Sequence, residues 1–138
     1  MDFDSLFWLG LFDTIVAEVN VVDKQSFLKQ TQNLIHVTKE AADRYQIGEE
    51  YDFFTTVKPA ADRCEQTIKS WLENGLAYIE DHHPKYIYKE QLSAVEENLN
   101  EIVLQSYFCK IHKKRFRDLT ESVLYTLKSI EEDLKVKG

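Results

Sequence analysis

Lys110, Lys113, Lys114, Arg115 and Arg117 place five positive charges within the eight residues KIHKKRFR, with His112 among them. Phosphate groups, nucleic acid or an acidic protein segment could all use such a cluster. It is the one concentrated positive surface in a chain of formal charge -7, a balance that works against non-specific attraction to nucleic acid or anionic lipid. No zinc-finger, KH or RNP pattern accompanies it, and the helix expected before it is acidic through Glu90, Glu96, Glu97 and Glu101. Nucleic acid is therefore a weaker expectation than an acidic protein partner or pairing within the chain.

Other pairs with chemical potential carry less. Cys109 lies three residues before His112, a spacing that brings a thiol and an imidazole to one helix face. No orienting group is visible, and an apolar neighbourhood for Cys109 points to an inert thiol. Glu80 and His83 have the Glu-x-x-His spacing of carboxylate-bridged metal bundles, but those sites need two such pairs and the chain holds no second. His82, His83 and His112 would make a zinc site only if folding brought them together, and Glu97 with Glu101 reads as a solvated acidic flank. A glycine-rich phosphate loop, a GxSxG elbow and an HExxH pair are all missing, and only 4 glycines are present. No catalytic residue, metal ligand or cofactor is assigned, and a non-enzymatic protein is expected.

The elements that must position these residues are helical. The chain has 138 residues, 43% apolar and 30% charged, with 2 prolines, which suits one helical domain better than a sheet needing many turns. At this length a chain buries about two thirds of its extended surface and needs no metal or disulfide. Cys64 and Cys109, 45 residues apart with no CxxC, are expected as reduced thiols in a cytoplasmic protein.

Four stripes at helical spacing are visible. Asp23 can cap a helix over about Lys24 to Gln46, whose stripe is Phe27, Thr31, Leu34, Thr38, Ala41 and Tyr45, with Gly48 closing it. A second runs from Phe53, or from Pro59 if the proline starts it, to about Asp81, through Val57, Ala61, Cys64, Ile68, Trp71, Leu72, Gly75, Leu76 and Ile79. Gly75 inside that stripe implies either a closely passing helix or a weak turn. His82-His83-Pro84 ends the helix, and Tyr86 and Tyr88 are expected to cover the bundle end. A third helix, about Lys89 to Lys110, buries Leu92, Val95, Leu99, Ile102, Val103 and Ser106 or Tyr107. The fourth starts before Phe116 and reaches about Lys135, with Leu119, Val123, Leu124, Leu127, Ile130 and Leu134. Together they predict an all-α, antiparallel up-and-down four-helix bundle over residues 23–138.

Residues 1–22 contain the run LFWLGLF. Asp2 and Asp4 precede it, unlike the basic start of a secretory signal, and it is too short to insert across a membrane. An additional N-terminal helix or arm is expected, packed on the bundle or on a second subunit, which leaves a homodimer through this segment open.

Three segments carry a family resemblance: RYQIGEEYDFFTTVKPA (Arg44 to Ala60), HPKYIYKEQ (His83 to Gln91) and LQSYFCKIHKKRFRDLTESVLYTLK (Leu104 to Lys128). They resemble the YppE-like family of small cytoplasmic proteins of Gram-positive bacteria, over roughly Lys24 to Asp133. The resemblance implies a four-helix bundle and carries over no catalytic residue or ligand. The resulting expectation is a protein-interaction or regulatory bundle, using an apolar groove or the cluster Lys110, His112, Lys113, Lys114, Arg115 and Arg117. A metal- or small-ligand-binding bundle and a nucleic-acid-associated factor are the alternatives.

Overall fold

A computed structural model describes the backbone of residues 2–136 and the side chains of residues 24–135. How the side chains of the N-terminal segment pack, in cis or between subunits, lies outside the described residues. Four helices follow in order: α1 (Asp2–Ile47), α2 (Lys58–His82), α3 (Lys89–Phe108) and α4 (Lys113–Val136). Among the described residues there is no strand.

They form an up-and-down bundle in which α1 and α3 each touch all the other helices, while α2 and α4 occupy opposite corners. The C-terminal ends of α1 and α3 therefore share one end of the bundle with the starts of α2 and α4. The expected stripes line the core, with Phe27, Leu34, Ile68, Trp71, Leu92, Leu99, Ile102 and Leu127 wholly buried. Gly75 is where helices come close: a Cβ there would lie 2.7 Å from Leu92 Cδ1 and 2.8 Å from Phe27 Cε1. Close approach, not a weak turn, accounts for this glycine.

Several local expectations need correction. Asp23 is no N-cap, because α1 runs through it. No proline or glycine lies between Asp13 and Ile47 to break the helix. Gly48, at φ 70°, does close it, its N–H donating to Arg44 O at 3.1 Å. The entry to α2 combines both expected starts. A π-helical turn, Phe53–Val57, leads directly into α2, with Val57 N–H bonded to Asp52 O and Lys58 N–H to Phe53 O. Pro59 follows, and since it cannot donate and its ring crowds the carbonyl four residues back, a widened turn just before it relieves the conflict.

In α2 the buried face includes Tyr78, whereas Leu76 is 39% exposed. The α2–α3 connection also inverts expectation, since Tyr86 and Tyr88 face solvent and Ile87 between them fills the core at 2% exposure. Helix α3 stops two residues early, Cys109 taking the left-handed conformation at φ 54°. Of the two alternatives in its last turn, Ser106 is the buried one.

Candidate functional site

The basic cluster sits on the α3–α4 turn and the first turns of α4, and one aromatic pair anchors it. Phe116, 4% exposed, stacks on Tyr45 of α1 with ring centroids 3.9 Å apart and planes 9° from parallel. The Tyr45 hydroxyl donates to Ile111 O at 2.7 Å, tying the end of α1 to the turn itself. His112 caps α4: its Nδ1 accepts the Lys114 backbone N–H at 3.2 Å, and its carbonyl accepts from Phe116 N–H at 3.0 Å.

With Phe116 fixed inward, Lys110, His112, Lys113, Lys114, Arg115 and Arg117 are all exposed. They do not form one surface. Residues four apart on a helix share a side, as Lys113 and Arg117 do, so the rotation of α4 divides the cluster. His112, Lys114 and Arg115 line a hollow of about 430 Å³ with Asn98, Asp118, Leu119 and Ser122. On this side Arg115 Nη2 lies 3.3 Å from Glu101 Oε1 of α3, the pairing with the acidic helix that the sequence suggested. Lys113 and Arg117 turn toward α1 and line a separate cleft of about 370 Å³ with Ala42, Tyr45, Gln46, Phe116, Thr120 and Glu121.

The remaining candidate pairs are not assembled. Cys109 Sγ lies 3.5 Å from Ser106 O and 3.7 Å from Tyr45 O, while His112 Nδ1 is engaged with the Lys114 amide. No thiol–imidazole pair results. His82 and His83 end α2, at the opposite end of the bundle from His112. Among the described residues no group of three or more His, Cys, Asp or Glu side chains could hold a metal ion, and no helix is long and apolar enough to cross a membrane.

Sequence reasoning missed an aromatic surface at the same end of the bundle as the cations. Phe53 packs edge-on against Phe54 at 5.1 Å and stacks with Phe108 at 6.2 Å. Phe54 is 77% exposed, and Phe53, Leu104 and Phe108 are also open to solvent. Behind them Tyr51 meets Tyr107 edge-on at 5.3 Å, and the Arg44 guanidinium lies 4.0 Å above the Tyr107 ring while its Nε donates to Ser106 Oγ. The available signal was the pair of adjacent phenylalanines in EEYDFF, which cannot both point inward from a short connection.

Comparison with known proteins agrees with this architecture. A bacterial domain of unknown function, DUF1798, matches residues 31–134. The protein YppE of Bacillus subtilis (strain 168) is 46% identical over 114 residues, 80% of this chain and 93% of YppE. Its crystal structure superposes with a TM-score of 0.78 at 45% identity, covering 82% of this chain and 95% of that one. A Listeria innocua protein of unknown function shares the fold, with a TM-score of 0.79 at 22% identity over 84% of this chain and 96% of its own. Residues, helices and superposition agree: the chain belongs to the YppE family of bacterial proteins built on the DUF1798 domain.

Proposed function

We propose that this protein is a non-enzymatic, partner-binding helical bundle of the bacterial cytoplasm, and that it docks its partner at the end carrying the α3–α4 turn. The observation that carries the reading is the neighbourhood of two kinds of exposed group at that end. Phe53, Phe54, Leu104 and Phe108 offer an apolar patch, and the cations begin at Lys110, two residues after Phe108. An exposed apolar patch rimmed by charge is the usual signature of a protein contact. The partner segment it suits presents apolar side chains flanked by Asp or Glu, so that opposite charges steer the encounter while the rings supply the buried centre. Two free cysteines, Cys64 and Cys109, fit a reducing compartment.

The test is recovery of proteins from lysate of the source bacterium on immobilised full-length chain, with and without nuclease. One stoichiometric protein should be retained by the wild type. It should be lost from a Phe54→Ser, Phe108→Ser variant and from a Lys113→Glu, Lys114→Glu, Arg117→Glu variant, both of normal helicity. Retention by the charge-reversed variant removes the cations from the reading. Retention that vanishes with nuclease replaces a protein partner with nucleic acid.

A further inference from the structure

The cleft between the last turns of α1 and the first turns of α4 has features that the aromatic patch does not share. Lys113 and Arg117 stand four residues apart on its wall, and neither makes an ion pair among the described residues. Its apolar lining is Ala42 with the stacked rings of Tyr45 and Phe116. Thr120 lies in the same lining at 7% exposure, and its Oγ1 is buried with no hydrogen-bond partner. Buried hydroxyls are almost always satisfied, and an orphan bordering a cavity is a group that something else completes. Thr31 and Thr38, buried on α1, each donate to the carbonyl four residues back at 2.7 Å. Among the described residues the two other buried oxygens without a partner, Gln105 Oε1 and Asp133 Oδ2, do not line this cleft.

We propose that this cleft is a binding site for a small organic carboxylate with a planar or apolar body. The carboxylate is held by the Lys113 ammonium and the Arg117 guanidinium, the second able to grip both oxygens at once. The body lies against Ala42 and the Tyr45–Phe116 rings, and the Thr120 hydroxyl, turned toward the cleft by rotation about χ1, gains the hydrogen bond it lacks. Glu121 also lines the cleft, so the lining sums to one positive charge, which matches a monoanion better than a doubly charged phosphate ester. A cavity of about 370 Å³ is at the small end of the range that natural ligand sites occupy. The site shares Lys113 and Arg117 with the cations of the docking reading but none of its apolar patch, so benzoate binding that is kept in the Phe54→Ser, Phe108→Ser variant and lost with Lys113 and Arg117 separates the two.

The full-length protein is titrated with benzoate, phenyl phosphate and inorganic phosphate at low ionic strength, following backbone amide chemical shifts. Benzoate should give saturable shifts centred on Tyr45, Gln46, Lys113, Arg117 and Thr120. Affinity should fall roughly tenfold or more when Lys113→Gln and Arg117→Gln remove the charge-assisted bonds. Lys114→Gln with Arg115→Gln, on the far side of α4, should leave it unchanged. Thr120→Val separates a site from a merely structural threonine. It should weaken benzoate several-fold while raising the melting temperature of the ligand-free protein, because an unsatisfied hydroxyl has been replaced by a methyl of similar shape. The proposal is overturned by shifts that do not saturate, by equal losses in the Lys114/Arg115 variant, or by inorganic phosphate binding as well as benzoate. Tighter binding of phenyl phosphate than of benzoate overturns the carboxylate assignment.

Discussion

Trp71 of α2 donates its indole N–H to the hydroxyl of Thr31 on α1 at 2.9 Å, with both residues wholly buried. Thr31 in turn donates to Phe27 O at 2.7 Å, so one hydroxyl serves as acceptor between helices and donor within its own. Thr31→Val keeps the shape and strands the Trp71 N–H, which should cost about 1 to 3 kcal/mol. Trp71→Phe in the Thr31→Val background should show a smaller loss than in the wild type, since no donor is then left to strand. Urea unfolding of the four proteins closes the cycle, and strict additivity would show that the bond contributes nothing.

Gly75→Ala sets two effects against each other. Alanine favours a helix by about 1 kcal/mol over glycine, yet its Cβ would meet Leu92 Cδ1 at 2.7 Å and Phe27 Cε1 at 2.8 Å. Both neighbours are wholly buried and have little room to yield. Overpacking typically costs about 1 to 3 kcal/mol, so the variant should be less stable than the wild type. A rise in its denaturation midpoint would mean that Phe27 and Leu92 repack freely.

The sequence stripes located the core because Leu92, Val95, Leu99, Ile102 and Val103, like Phe116, Val123, Leu127 and Ile130, recur at helical spacing and are all buried. Phase within a stripe was harder to read. Tyr78 is buried where Leu76 was expected, since a tyrosine can bury its ring and hydropathy alone ranks leucine first. Irregular segments carry no period, so nothing in PKYIYK showed that Ile87 enters the core between two exposed tyrosines. The charges of the candidate site were plain as a cluster, but their division into two surfaces depends on the rotation of α4 set by Phe116 against Tyr45. The orphan Thr120 hydroxyl depends on the packing around it and has no sequence signal.

Tyr45 holds the candidate site in register through its ring and its hydroxyl separately. Tyr45→Phe keeps the stack on Phe116 and removes only the bond to Ile111 O. Stability should drop by about 1 kcal/mol, with faster amide exchange in the α3–α4 turn and little change elsewhere. Phe116→Ala removes the stack and empties a buried position, for which a loss of about 3 to 5 kcal/mol is expected. Equal losses in the two variants would contradict this separation.

Cys64 should be a poor nucleophile in the folded protein. Burial pushes the Cys64 thiol above its ordinary value of 9.0, so little reactive thiolate forms near neutral pH. Alkylation of the folded protein should leave Cys64 largely unmodified until the solution is more alkaline than that value or the chain unfolds. Its raised folded value also means that ionisation in the unfolded chain draws stability away as pH rises through 9.0. Prompt labelling of Cys64 at neutral pH, read by peptide mass analysis, would refute the burial argument.

Asp52 gives the entry to α2 an acid-sensitive cap. Its Oδ2 accepts the Thr55 backbone N–H and the Thr55 hydroxyl, each at 2.8 Å. These bonds, the backbone one first, hold its carboxyl below the ordinary 3.8. A carboxyl lowered on folding adds stability that is present above its unfolded value and is lost as pH falls through the lower folded one. The π-helical turn should therefore loosen only below about pH 4, and a carboxyl shift titration should place Asp52 below 3.8. Thr55→Val deletes the hydroxyl but leaves the backbone donor, so it should return that titration only part of the way toward 3.8. Asp52→Asn keeps an oxygen acceptor and cannot titrate, so the acid dependence of Thr55 amide protection should disappear in it. The same dependence in Asp52→Asn would assign the loosening to another carboxylate and remove Asp52 from the account of how this end of the bundle is held.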